Sequence, residues 1–380
     1  MSTEENTLSI PVLITRNEEL RRLCEQWCKQ SLLALDTEFI RTDTFFPRLG
    51  LIQVCDDKGS YLLDPLTLTD WTAFKAILAD STIMKVLHSC SEDLVVFKGF
   101  FGQLPAPLFD TQKAAAFLNF GYSISYQNMV KELLNIEISK GQTRSDWLRR
   151  PLSDEQISYA ALDVAFLPKI YRNFKQQLIE TQRLSWLQYE CNEMLNLAFA
   201  EDSEPTWDNC YQNIGSAWRL NSRQLEVLQR LCVWREEEAR RRDKPRSWIA
   251  KDSDLLLLAE REPQDKISLS SLAEVSKPLV NKDADTLLTL IRAPHHGAPL
   301  KLPAVDYPLT GAMRADLKKC QSVISQKADE LGIAPEMLAR KKQLLPIVIE
   351  FSLSREFSWP ESLSGWRQPL LENPIRQALC

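Results

Sequence analysis

Short apolar runs of strand length recur through the first 178 residues: 32–39 (LLALDTEF), 49–55 (LGLIQVC), 60–63 and 83–87. Runs of this length bounded by polar turns predict β-strands. Between and after them, apolar positions return every three to four residues, which predicts helices over 71–78, 94–101, 111–117, 126–134 and from Asp154 onward. The alternation predicts an α/β domain with helices packed on one sheet. The helix from Asp154 has the clearest start signal. Ser153 and Gln156 form a capping-box pair, and Asp154 and Glu155 suit the positive end of the helix dipole. Its core stripe runs through Ile157, Ala160, Ala161, Val164, Leu167, Tyr171 and Phe174, and Pro168 within the stripe predicts a kink or break.

Beyond residue 179 the strand signal almost vanishes and helical periodicity takes over, interrupted at 203–206 and again at 293–303 (APHHGAPLKLP). The stretches before and after the second break echo each other. Pro245, Trp248 and Leu255 return as Pro335, Leu338 and Leu345, each set following an amphipathic helix and preceding a leucine-rich one. Two copies of one small all-α module are expected. The predicted organisation is one α/β domain over 1–178, a helical connector over 179–213, and helical modules over 214–294 and 295–380.

Composition narrows the function classes. The 380 residues are 44% hydrophobic and 26% charged, which fits a multidomain globular protein. Eleven glycines form neither GxGxxG nor a Walker A pattern, so a glycine-rich phosphate loop is not expected. No apolar run approaches the ~20 residues that span a bilayer, and the polar start MSTEENTLSI is unlike a signal peptide. A cytoplasmic protein with no membrane partner is expected. Nine scattered cysteines without a CxxC fit reduced thiols. With only three histidines, His88, His295 and His296, any metal chemistry falls to carboxylates. The net charge of −5 argues weakly against nucleic acid as a partner, although local patches rather than the total decide binding.

Three sets of residues could carry chemistry. Asp36 and Glu38 end an apolar strand and project from one face, where two acids are costly unless a cation neutralises them. A frayed strand end with both acids solvated is the plain alternative. Asp93 falls in the first turn of a helix that follows a strand, where an acid can simply serve the dipole. Tyr159 and Asp163 share a helix face at i,i+4, a spacing that also suits an ordinary surface hydrogen bond. Gathered at one end of a sheet, these oxygens would suit Mg²⁺ or Mn²⁺ better than zinc.

The order DxE, a later Asp after a strand, then YxxxD resembles the DEDD exonuclease superfamily. The tyrosine subtype is indicated, because the histidine subtype places a histidine five residues before its last Asp, and Ser158 stands there. The stretches DTEFIRTDTFFPRLGLIQV, LHSCSEDL and GQTRSDWLRRPLSDEQISYAALDV resemble the ribonuclease D family, and the C-terminal half is similar to two HRDC modules. The resemblance implies a ribonuclease H-like exonuclease domain with a mixed sheet, followed by two all-α HRDC-like modules. It implies that Asp36, Glu38, Asp93 and Asp163 bind two divalent ions, Mg²⁺ or Mn²⁺, while Tyr159 positions the attacking water. The implied activity is 3′→5′ trimming of tRNA precursors and other stable RNAs at single-stranded 3′ ends, releasing nucleoside 5′-monophosphates. A monomer is expected. A DNA 3′-exonuclease and a non-catalytic RNA-binding protein are the alternatives.

Single-stranded nucleic acid is usually held by cationic grooves with aromatic stacking surfaces. Arg41, Phe45, Phe46 and Arg48 follow the DxE strand, and Lys140, Arg144, Trp147, Arg149 and Arg150 form a second basic and aromatic segment. Both are expected to line the RNA channel; the plain alternatives are that Trp147 belongs to the core and that an arginine beside an aspartate forms only a solvated pair. Residues 235–251 hold seven basic side chains against four acidic ones and offer a further phosphate contact.

Overall fold

The computed structural model describes residues 10–138, 141, 145–200, 207–295, 297, 300 and 303–380. Six strands form one mixed sheet: β1 (Val12–Ile14), β2 (Leu32–Ile40), β3 (Arg48–Cys55), β4 (Ser60–Leu63), β5 (Met84–Leu87) and β6 (Leu108–Asp110), in the order β1-β4-β3-β2-β5-β6. β2, β3 and β4 form an antiparallel meander, and β1, β5 and β6 join it in parallel. The four longer strands lie where the apolar runs predicted them. β1 and β6, three residues each, and the first helix, α1 (Asn17–Trp27), were not predicted. Three-residue strands are too short to show a period, and α1 is polar on most of its surface.

The sheet is flanked by α2 (Thr72–Ala79), α3 (Ser91–Phe101), α4 (Thr111–Phe117), α5 (Tyr126–Leu134), α6 (Asp154–Ala165) and α7 (Leu167–Glu180). The predicted capping box at Ser153 is present, with Ser153 N–H donating to Gln156 Oε1 at 3.0 Å and Gln156 N–H to Ser153 Oγ at 3.2 Å. The break near Pro168 is also present: α6 ends at Ala165, and Pro168 sits in the first turn of α7, where its missing N–H costs nothing.

The rest of the chain is helical. After α8 (Leu184–Ala200), the first module holds α9 (Ser222–Arg242), α10 (Arg246–Ile249), α11 (Asp252–Arg261), α12 (Lys266–Ser270) and α13 (Lys277–Arg292). The second holds α14 (Gly311–Leu331), α15 (Pro335–Leu338), α16 (Lys341–Ser354) and α17 (Gln368–Leu379). The repeat is real, but its register is one residue from the sequence echo. Ser222 and Gly311, Asp243 and Gly332, Arg246 and Pro335, and Lys251 and Arg340 all stand 89 residues apart. Asp243 and Gly332 both end their long helix in the left-handed region, at φ 47° and 59°. Trp248 therefore corresponds to Met337, not Leu338; matching prolines misled the alignment, because Pro245 precedes its short helix while Pro335 begins one.

The two modules dock differently. The second shares one continuous core with the α/β domain: Trp366 stacks on Trp186 of α8 at 4.6 Å, and Phe117 meets Trp366 edge-on at 5.3 Å. The first has its own core, into which Phe45 of the α/β domain inserts.

Candidate active site

β2 is fully buried over Leu32–Leu35 and opens toward its C-terminal half, where alternation puts Asp36 and Glu38 on one face and Thr37 on the other. α6 crosses the carboxylate face. Ala160 and Ala161 pack on Leu51 and Leu62, and Ser60 Oγ donates to the Ala161 carbonyl at 3.1 Å. That packing brings Asp163 over the strand. Ligand oxygens of Asp36, Glu38 and Asp163 lie within 4.8 Å of one another. Asp93, buried in the first turn of α3, stands alongside this trio and accepts a short hydrogen bond from Thr37 Oγ1. Asp110 ties the start of α3 to that of α4: it accepts the Cys90 N–H and, as the N-cap of α4, the Lys113 N–H, each at 2.9 Å.

Burial and mutual repulsion dominate the electrostatics. Desolvation, then the charges of Asp93, Asp163 and Glu38, push the Asp36 carboxyl well above its ordinary range. Desolvation followed by Asp163 and Asp93 pushes Glu38 up to about 9. Burial raises Asp93 to about 7 against the opposing Thr37 hydrogen bond. It raises Asp163 to about 6 against a hydrogen bond from Tyr159. Acids held this closely ionise together only if a cation shares them. An all-oxygen donor set fits a hard divalent ion such as Mg²⁺ or Mn²⁺ and is poor for zinc.

Tyr159 is held from behind. Its ring lies 6.2 Å from that of Trp147, which is buried. A Cβ at Gly50 would stand 2.6 Å from the Trp147 carbonyl oxygen, so only glycine lets this segment lie on β3. Arg150 pins the same segment, with Nε and Nη2 donating to Asp64 at 2.8 and 2.7 Å and Nη2 also to the Gly50 carbonyl at 2.7 Å.

The proposed RNA-channel residues divide. Phe46 is 40% exposed, and Arg149 is exposed. Arg41 Nε donates to the Phe45 carbonyl at 2.8 Å and its Nη1 lies 3.5 Å from Glu92; Arg48 pairs with Asp43 at 3.2 Å. Phe45 and Trp147 are packed away, so neither offers a free ring face to a base. Phe45, 5% exposed, lies under the Arg240 and Arg246 guanidinium groups at 4.6 and 4.9 Å from its ring centre. Lys140 and Arg144 lie outside the described residues. His88 is structural: burial lowers its pKa, and its ring nitrogens meet Thr111 Oγ1 at 2.9 Å and the Ile124 carbonyl at 3.1 Å.

Sequence reasoning overlooked Thr37, Asp110 and Gln53. Gln53 is the cross-strand neighbour of Asp36, and its signal was a lone carboxamide in an otherwise apolar central strand.

A mixed sheet presenting a cluster of half-buried acids under a tyrosine-bearing helix fits a 3′-5′ exonuclease. A 3′-5′ exonuclease family model matches residues 11–179, an HRDC domain model 224–291, and a model of the ribonuclease D C-terminal HRDC domain 312–375. Ribonuclease D of Pseudomonas paraeruginosa is 40% identical over 371 residues, 96% of each chain. Its Escherichia coli counterpart is 35% identical over 373 residues, 97% of this chain and 98% of that one. The crystal structure of Escherichia coli RNase D, an exoribonuclease involved in structured RNA processing, matches with a TM-score of 0.83 at 34% identity, covering 97% of this chain and 98% of that one. The chain belongs to the ribonuclease D family and is a 3′-5′ exoribonuclease. Among the described residues no helix is long and apolar enough to cross a membrane.

Proposed function

We propose that this exoribonuclease trims single-stranded 3′ ends of tRNA precursors and other stable RNAs in the cytoplasm, releasing nucleoside 5′-monophosphates. Two divalent ions, Mg²⁺ or Mn²⁺, would be held by Asp36, Glu38, Asp93 and Asp163. The observation that carries this reading is the meeting of Asp36, Glu38 and Asp163, each half-buried, within 4.8 Å. When bound, the ions supply Lewis acidity toward the attacking water and the leaving 3′-oxygen. Tyr159 donates a hydrogen bond from its hydroxyl to Asp163, which leaves a lone pair of the phenol oxygen to accept a hydrogen bond from the water and orient it for in-line attack. The packing of Trp147 behind the phenol limits how far that oxygen can stray.

The strand behind the terminal nucleotide would leave past Phe46. Next to it, between the 41–48 loop and the first HRDC module, lies a cleft of about 560 Å³ lined by Arg41, Arg235, Arg246 and Lys251 against Asp252. Trp248, 62% exposed and with Lys244 Nζ 5.6 Å from its ring centre, offers a stacking surface beyond it.

Purified protein with 3′-labelled tRNA precursor and Mg²⁺ or Mn²⁺ is expected to release labelled nucleoside 5′-monophosphate, and Asp36→Asn to lose cleavage while keeping RNA binding. No labelled mononucleotide with either metal contradicts the proposal. A matched DNA strand cut at an equal rate would favour the DNA reading, since only RNA offers 2′-hydroxyls.

A further inference from the structure

β3 is buried on both faces from Leu49 to Cys55, and every other side chain in that stretch is apolar or absent; Gln53 alone carries a carboxamide. It is 0% exposed, and neither Nε2 nor Oε1 has a hydrogen-bond partner among the described residues. A buried amide with nothing to bond is a rare and costly feature, and a leucine or methionine would fill the same space without that cost.

Its position supplies a reason. In the β2–β3 ladder Gln53 stands directly opposite Asp36, and in the β3–β4 ladder opposite Leu62. Directly opposed residues point to the same face, with Cβ atoms ~4.5–5.5 Å apart. Gln53 therefore shares the face that carries Asp36 and Glu38, and α6, bearing Tyr159 and Asp163, covers it through Ala160 and Ala161 on Leu51 and Leu62. Gln53 is thus the β3 neighbour of Asp36 on the face that α6 covers. The Asp36 carboxylate accepts a hydrogen bond from the Thr37 backbone N–H.

We propose that Gln53 is a positioning residue for the carboxylate cluster: its Nε2 donates to the Asp36 carboxylate when a divalent cation is bound, and fixes that carboxylate in its ligand orientation. That contact would give the orphaned amide its partner. Hydrogen bonds that orient metal ligands typically change affinity 10–100-fold. The inference rests on the cation-binding reading of the acids.

Isothermal titration of Mn²⁺ into substrate-free protein tests it, with thermal unfolding of the metal-free forms run in parallel. For Gln53→Met the expected result is an unchanged or higher metal-free midpoint and Mn²⁺ affinity weakened at least 10-fold. A Mn²⁺ affinity within twofold of wild type overturns it, whatever happens to the midpoint. Should Gln53→Met not fold, ¹⁵N-glutamine-labelled wild type serves. The Gln53 side-chain NH₂ resonances, assigned through Gln53→Leu, are expected to shift on adding Mg²⁺, and unmoved resonances overturn the proposal. Wild-type protein that takes up no divalent ion overturns the cation reading as well, which separates the two failures.

Discussion

The two HRDC modules share a helix plan at a constant offset, yet the chain uses them in opposite ways. In the second module Met337 is 1% exposed, and its carbonyl accepts Arg367 Nε at 2.8 Å. Arg367 in turn grips buried Glu190 of α8 through both carboxylate oxygens, at 2.6 and 2.9 Å. Trp366 completes a core common to module and catalytic domain. In the first module the corresponding Trp248 faces solvent, and attachment runs through a small latch instead. Phe45 plugs the module, Asp243 accepts the Phe45 and Phe46 N–H groups at 2.9 and 3.0 Å, and Lys244 Nζ donates to the Asp43 carbonyl at 3.2 Å. One copy has become scaffold. The other keeps its short helix open, beside a basic cleft shared with the loop that follows β2.

Four substitutions separate these roles. Glu190→Ala leaves Arg367 buried without its carboxylate and is expected to cost about 3–5 kcal/mol, read as a lowered urea midpoint of one global transition. Met337→Ala should cost about 2–5 kcal/mol in the same measurement. Phe45→Ala removes the plug, worth about 1.5–3 kcal/mol of docking. It should appear in calorimetry as a separate early transition, with faster amide exchange confined to α9 and its neighbours. Trp248→Ala should move stability by no more than ~0.5 kcal/mol and yet weaken single-stranded RNA binding, measured by anisotropy, by about 1–3 kcal/mol. If Trp248→Ala and Met337→Ala destabilised equally, the division of labour would be wrong.

Much of this arrangement was legible in the chain. The long strands, the capping box at Ser153, the break at Pro168 and the repeat follow from local periodicity and turn chemistry. β1 and β6 did not, since a three-residue strand is defined by its neighbour rather than its own pattern. The acids were recognisable by order and spacing, but not that Asp93 would be tied to Thr37 from the strand's other face. The sequence leaves Trp147 open between core and channel, and it offers Phe45 as a stacking surface because an aromatic beside arginines looks alike whether it meets a base or a guanidinium. Only tertiary packing separates the two cases. Gln53 was passed over because a lone polar residue in an apolar strand gains meaning from its cross-strand partner.

Two acidic sites, one buried and one half-buried, stand in contrast. Glu190 is neutralised by Arg367 within the protein, whereas Asp36, Glu38 and Asp163 face one another. Acids whose folded pKa is raised hold more protons folded than unfolded. Their site is therefore least costly below the unfolded value near ~4, and stability is lost as pH rises through about 6 for Asp163, 7 for Asp93 and 9 for Glu38. A cation that binds only the folded cluster should reverse this loss. The direct measurement is the thermal midpoint of wild type and Asp36→Asn from pH 5 to 9, with and without Mn²⁺. For wild type the midpoint should fall with pH in chelator and recover on adding Mn²⁺, most at pH 9, while Asp36→Asn should show a smaller fall and little recovery. A wild-type midpoint at pH 9 that Mn²⁺ leaves unchanged would contradict the account.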